Sequence, residues 1–125
     1  MLRAVNTEKA PGAIGPYSQG MIAGEFLFVS GQLPLNPDTG ELMVDPEKAF
    51  KRAIENFLEI VKAAGGTPES VIKVNVYIKD LEYFSTFNEI YAHYFKNHKP
   101  ARAVIEVARL PKDAIVEIEG IAYIK

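Results

Sequence analysis

The chain has 125 residues, 48% hydrophobic and 24% charged, and its formal net charge at pH 7 is −2. This length and balance are typical of a folded domain with its own core and exclude a disordered chain. The slight acidic excess, with Lys and Arg spread along the chain, argues against a nucleic-acid partner. There is no cysteine, which excludes disulfides, thiolate metal sites and a cysteine nucleophile.

No part of the sequence predicts a targeting or membrane segment. The N-terminal run MLRAVNTEKAPGAIGPY lacks the long apolar core of a signal peptide. No stretch approaches the roughly 18 uncharged apolar residues that a membrane span needs. There is also no linker, repeat or low-complexity segment. We therefore expect a cytoplasmic protein without a membrane partner, in which residues 1–125 form a single domain.

The first elements form a hairpin followed by a loop. Residues 16–23 are strand-like, Gly24-Glu25 offers a tight turn, and residues 26–30 form the returning strand. Residues 36–40, Asn-Pro-Asp-Thr-Gly, are dense in turn formers and predict a surface loop.

The middle of the chain predicts a helix, a strand and a second helix. Asp45 caps a helix that begins at Pro46 and ends at Gly65-Gly66, with apolar residues at steps of three and four. Residues 71–78 alternate as a strand with one buried face. The buried face of that strand is predicted to carry Ile72, Val74, Val76 and Ile78. An apolar stripe then indicates a helix over about residues 83–95.

Two extended segments, 103–107 and 114–124, complete the order β-β-α-β-α-β-β. Two helices with about five strands predict an α+β sandwich, with both helices on one face of a mixed sheet. In the last strand Glu117 and Glu119 share a face with large apolar groups, while the opposite face is less polar. We expect the less polar face to meet the helices and the mixed face to meet another subunit.

Few side chains point to chemistry. His93 and His98 lie five residues apart around a helix end, without an acid or cysteine at ligand spacing, so solvent-facing histidines are favoured over a metal site. No phosphate-binding glycine motif and no serine triad are present.

Arg102 is the most informative charged residue. It follows Pro100-Ala101 and precedes an apolar strand, and because its charge is permanent, an anion should face it. That anion is either the carboxylate of Glu106 or Glu117 in a structural ion pair, or a small carboxylate ligand bound by the guanidinium fork. Glu117, in mid-strand, is a solvated residue, an arginine partner or a group that orients water, and the spacing does not choose among these.

Five blocks in chain order resemble the Rid family, also called YjgF-type, whose members are reactive intermediate deaminases. The C-terminal block is PARAVIEVARLP at 100–111 followed by Val116-Glu117-Ile118. The other blocks are AIGPYSQG at 13–20, SGQ at 30–32 with NPDTG at 36–40, KDL at 79–81 and FNEIY at 87–91. The resemblance covers essentially the whole chain.

The resemblance implies a fold similar to that of the trimeric chorismate mutases, with sheets facing the threefold axis and equivalent clefts at the subunit boundaries. It implies hydrolysis of 2-iminopropanoate and 2-iminobutanoate, which arise from pyridoxal-phosphate dehydratases, to 2-keto acids and ammonia. No metal, flavin or bound pyridoxal is required. Many members have a cysteine two positions after the arginine, where this chain has Val104, so any substrate preference set by that thiol is not carried over.

Site roles follow from the same resemblance. Arg102 would bind the substrate carboxylate, and Glu117 would hold the attacking water and shuttle its proton. Tyr17 would contribute a hydroxyl and an aromatic wall, Gly31 a close approach of the backbone to the ligand, and Asn88 a polar group in the cleft. Alternatively, Tyr17 only packs, and Asn88 bonds to a neighbouring backbone.

Three other functions compete with a deaminase. A non-catalytic trimer that binds a small carboxylic acid would keep Arg102 but not need Glu117. Some relatives have been described as ribonucleases or translation inhibitors, which the acidic balance disfavours. A chorismate mutase would share only the architecture, and fold alone does not carry function.

Overall fold

The computed structural model describes residues 1–125 and contains six strands and two helices. The strands are β1 (Leu2–Val5), β2 (Gly20–Ala23), β3 (Phe26–Gln32), β4 (Val71–Ile78), β5 (Ala101–Glu106) and β6 (Val116–Tyr123). The helices are α1 (Pro46–Ala63) and α2 (Phe84–Tyr94). Short 3₁₀ turns lie at Pro68–Ser70, Leu81–Tyr83 and Pro111–Asp113. No helix is both long and apolar enough to cross a membrane.

All six strands form one sheet in the order β1-β2-β3-β6-β4-β5. Every pair is antiparallel except β4 and β5, which are parallel. A parallel pair needs a long crossover, and α2 lies in that connection. The predicted α+β fold with a mixed sheet is therefore confirmed. The strand β1 was not predicted, because its four residues are mostly exposed and show no alternation.

Both helices cover the same face of the sheet and enclose the core. The buried side chains of α1, including Phe50 and Phe57, belong to one cluster with Val76 and Ile118 of the sheet and Phe87 of α2. In β6 the residues on this face are buried, as the alternation predicted, and those of the other face are half-buried except Tyr123, which is exposed. The other face of the sheet has no covering layer within the chain.

The predicted helix ends are also confirmed. The Asp45 side chain accepts a hydrogen bond from the Lys48 amide at 3.1 Å, and Pro46 lies in the first turn. Past the C-terminal end of α1, Gly65 adopts φ 95°, a left-handed conformation that glycine reaches without steric cost.

The prediction for Ile72 is wrong. Its side chain is 42% exposed, whereas Val71 is fully buried. The pairing of β4 with β6 shifts register between Val71 and Lys73. A one-residue shift moves a side chain to the opposite face, so strict alternation fails at the start of this strand.

Gly120 is a site where the core accepts no side chain. A Cβ at this position would clash with the Lys73 carbonyl and would lie 2.9 Å from the Phe57 ring. We expect Gly120→Ala to lower the free energy of unfolding by about 1–3 kcal/mol through overpacking. Gly12, whose added Cβ would meet nothing within 4 Å, is the matched control. Urea unfolding of both variants at one protein concentration tests this, and equal losses would contradict it.

Candidate active site

A cleft of about 600 Å³ opens beside the ends of β3 and β6, on the side of the sheet that the helices do not cover. Three segments bound it: the N-terminal loop, the end of β3 and the turn before β6. Its lining residues are Pro11, Gly12, Ile14, Tyr17, Ser30, Gly31, Gln32, Leu33, Leu35, Pro111, Lys112, Glu117 and Glu119.

Glu117 lies near the start of β6 and points into this cleft. Half-burial, and secondly the negative charge of Glu119, raise the pKa of its carboxyl above the ordinary glutamate value of 4.5. A Cβ on Gly31 would collide with the Glu117 carboxylate. Glycine at position 31 therefore provides the space in which this carboxyl group sits.

Glu119 is the second carboxylate on this face and was not predicted as a site residue. It accepts hydrogen bonds from the Tyr77 hydroxyl at 2.8 Å and from the Asn75 side-chain amide at 3.2 Å. The hydrogen bond to Glu119, with burial, raises the pKa of Tyr77, so the hydroxyl stays a donor. These bonds hold Glu119 beside Glu117. The alternation of β6 had placed both on one face, but the cross-strand donors could not be identified from it.

The N-terminal wall of the cleft is held by Gln19, whose side chain is buried. Its Oε1 accepts from the Thr7 amide at 2.6 Å, and its Nε2 donates to the carbonyls of Thr7, Ala10 and Pro11 at 3.1, 3.2 and 2.6 Å. This network fixes the loop that presents Pro11 and Gly12 to the cleft. Tyr17, 51% exposed, lines the same wall.

The turn before β6 carries a strained backbone. Lys112 and Asp113 have φ values of 60° and 57°, a left-handed conformation that is costly for residues with a side chain. Lys112 is the cationic side chain among the residues that line the cleft. Sequence patterns gave no signal for this turn.

Arg102 lies elsewhere, on the edge strand β5. Its Cζ is 4.8 Å from the centroid of the Tyr91 ring and 5.8 Å from that of Phe84, both on α2. The ion pairs of the chain are Arg52–Glu55 and Arg109–Asp113, so Arg102 has no acidic partner.

The structural ion pair considered for Arg102 is therefore not formed. The Glu106 carboxylate instead accepts a hydrogen bond from the Leu81 amide at 2.9 Å. Glu117 lies on the other face of the sheet, because its cross-strand neighbour Tyr77 points away from the helices while Arg102 packs on α2.

The five predicted site residues thus form two groups within one chain. Tyr17, Gly31 and Glu117 meet at the cleft. Arg102 lies on the helix-covered side, and Asn88, half-buried on α2, is on the same helical stripe as the aromatic residues at positions 84 and 91. A single chain does not bring the two groups together.

The histidines do not form a metal site. No group of three or more potential ligands (His, Cys, Asp or Glu) is suitably placed. His93 is exposed in the last turn of α2. The prediction that His98 faces solvent is wrong. Its Nε2 donates a hydrogen bond to the Val71 carbonyl at 2.6 Å.

Comparisons with known proteins cover almost the entire chain. The family model described as endoribonuclease L-PSP matches residues 7–124. A RutC family protein of Pyrococcus abyssi is 52% identical over 118 residues, 94% of this chain and 93% of the relative. The 2-iminobutanoate/2-iminopropanoate deaminase of Escherichia coli is 45% identical, with 98% of each chain covered. The structure of E. coli TdcF with bound serine has a TM-score of 0.95 at 44% identity, covering 98% of this chain and 99% of that one.

The raised pKa of Glu117 predicts a pH-dependent stability. Between the ordinary and the raised value the folded state binds more protons than the unfolded state, so the free energy of unfolding falls as pH rises through this range. Glu117→Gln removes the titrating carboxyl group and therefore this decrease in the free energy of unfolding. We expect the variant to be more stable than the wild type at neutral pH but not below the ordinary glutamate pKa.

Urea unfolding as a function of pH, at one protein concentration, measures this difference. In a carboxyl ¹³C titration, Glu119→Gln should lower the pKa of Glu117, since it removes the neighbouring charge. A Glu117→Gln variant no more stable than the wild type at pH 7 would contradict the prediction.

Proposed function

Because this chain belongs to the endoribonuclease L-PSP family, which is the YjgF/Rid family, we propose that it hydrolyses reactive 2-imino acids to 2-keto acids and ammonia. The single observation that carries the proposal is the guanidinium of Arg102, half-buried and without an acidic partner. A permanent charge in that position calls for an anionic ligand. We propose that this ligand is the carboxylate of the imino acid.

The substrate carries its carboxylate directly beside the electrophilic carbon. A bidentate contact of the Arg102 fork would therefore hold the reacting carbon as well as the charge. The proposed substrates are 2-iminopropanoate and 2-iminobutanoate, the compounds named for the E. coli relative that is 45% identical.

Glu117 would act as the general base and general acid of the reaction. Its carboxylate would take a proton from water as the water oxygen bonds to the imine carbon, and would pass that proton to the imine nitrogen to give a carbinolamine. Glu117 would then take the proton of the carbinolamine hydroxyl and return it to the nitrogen as the C–N bond breaks, so that the C=O bond forms and the nitrogen leaves as ammonia. A carboxyl group with a raised pKa is suited to both directions of transfer.

The rate acceleration that the protein must provide is modest. Free imines hydrolyse unaided in water, so positioning with general acid–base help of roughly 10²–10⁴-fold is enough. Tyr17 would offer its hydroxyl and ring from the cleft wall, and Gly31 would leave space beside the carboxyl group of Glu117. Asn88 would add a polar group from the side of Arg102. No cofactor is needed for these steps.

We infer that the complete site lies between two copies of the chain, with Arg102 and Asn88 of one copy facing Tyr17, Gly31 and Glu117 of the next. A head-to-tail contact of this kind closes into a ring, and we propose a homotrimer with one cleft at each boundary. The uncovered face of the sheet supports such a contact. It bears half-exposed aromatic side chains, namely Phe26 at 43%, Phe28 at 46% and Tyr123 at 39%.

An RNA-directed activity, suggested by the family description, has weaker physical support. RNA binding depends on cations that neutralise phosphates. The cleft contains Glu117 and Glu119 with Lys112 as the opposing charge. Filter binding of RNA at several salt concentrations tests this alternative.

Activity should depend on Glu117 and Arg102 in different ways. With threonine dehydratase supplying the imine, we expect Glu117→Ala to lower the rate of ammonia release by about 10²–10⁴-fold. The same variant should still bind 2-oxobutanoate. Arg102→Lys should lose both most of the activity and most of the binding, since a point charge replaces the fork.

Matched controls are Glu69→Ala and Arg3→Lys, both at exposed positions. Wild-type rates in Arg102→Lys would count against the mechanism. A wild-type protein that binds 2-oxobutanoate but does not accelerate ammonia release would instead identify a carboxylate-binding protein.

Subunit mixing tests the shared cleft. Arg102→Ala and Glu117→Gln should each be inactive, but in a trimer containing both variants one boundary combines two intact surfaces. Random reassembly of equal amounts should therefore restore roughly a quarter of wild-type activity. Persistent inactivity of mixed trimers, verified by native mass spectrometry, would contradict the arrangement, as would a fully active monomer in sedimentation.

A further inference from the structure

Arg102 is held in place by aromatic rings instead of by an acid. Its guanidinium carbon lies 4.8 Å from the Tyr91 ring centroid and 5.8 Å from that of Phe84, within the range of cation–π attraction. Tyr91 is itself fixed by packing, since its ring centroid lies 4.6 Å from that of Phe95 and 5.6 Å from that of Phe87. The position of the charge is thus tied to the core through α2.

An aromatic support differs chemically from an acidic one. A carboxylate partner would occupy the N–H fork and cancel the charge that a ligand needs. A ring attracts the cation through its π face and can leave the in-plane N–H donors free. Burial raises the pKa of Tyr91 to about 12, so its ring carries no phenolate charge at neutral pH.

The two rings differ in their exposure. Tyr91 is only 8% exposed, and its hydroxyl has no hydrogen-bond partner. Phe84 is 39% exposed at the start of α2, so its ring can be altered without opening the core. Phe84 is therefore the residue at which the support of Arg102 can be tested separately from the stability of the fold.

We propose that Phe84 and Tyr91 are positioning residues, which orient the guanidinium of Arg102 and leave its donors free for the carboxylate of the ligand. This inference rests on the proposed function for the identity of the ligand. It assigns the affinity for carboxylates in part to two residues that need not touch the ligand.

The experiment replaces each ring and measures binding to the intact protein with two probes, 2-oxobutanoate and its neutral amide. We expect Phe84→Leu to weaken binding of 2-oxobutanoate about 2- to 5-fold, the range of an exposed cation–π contact. Binding of the amide should be unchanged. Phe84→Tyr, which restores a ring, should recover the affinity for 2-oxobutanoate, and Tyr91→Phe, which keeps one, should retain it. In the hydrolysis assay Phe84→Leu should raise KM more than it lowers kcat.

An NMR signal reports the geometry without any ligand. Ring currents should shift the Nε–H proton of Arg102 upfield in the wild type and in Phe84→Tyr, and the shift should diminish in Phe84→Leu. Wild-type affinity for 2-oxobutanoate in Phe84→Leu would overturn the inference, as would an equal loss for the acid and the amide. If Arg102→Lys binds and turns over like the wild type while the ring-current shift is present in the wild type, the proposed role of Arg102 as carboxylate anchor is what fails, because the aromatic support exists but serves no anchor.

Discussion

The arrangement of this molecule depends on the guanidinium of Arg102, which is permanently charged and forms no ion pair with an acidic side chain of the same chain. Arg102 sits on the edge strand β5, which runs parallel to β4 because α2 forms the crossover between them. The same helix supplies the rings on which the guanidinium rests. The connection that permits the parallel pair therefore also determines where the unpaired charge lies.

The sheet places the side chains of Arg102 and Glu117 on opposite sides. Alternation along β6 sends apolar side chains towards the helices and the Glu117 carboxyl group towards the open face. Arg102 packs on the helix side at the sheet edge. In the proposed site, Arg102 of one copy would bind the carboxylate of the imino acid, and Glu117 of the next copy would transfer the proton.

Half-burial gives Glu117 properties that its residue type does not imply. A solvated strand glutamate would be an ordinary weak acid. In this cleft the absence of a side chain at Gly31 admits the carboxyl group, and Glu119, held by Tyr77, adds a like charge beside it. Both effects raise the pKa of the Glu117 carboxyl group, which suits the proposed transfer of a proton in both directions.

The sequence by itself determined the hairpin, both helices, the caps of the first helix, and the two faces of β6, since each depends on local periodicity or on turn residues. It also indicated Arg102 and Glu117, because a charge beside or within an apolar strand is costly without a partner. Only the tertiary structure decided the facing of Ile72, where a register shift overrides alternation, and the roles of Gln19 and Glu119, whose partners lie on other segments. Only the tertiary structure showed that Arg102 and Glu117 lie on opposite sides of the sheet. Pairing order and register bring distant segments together, and local patterns carry little information about which strands become neighbours.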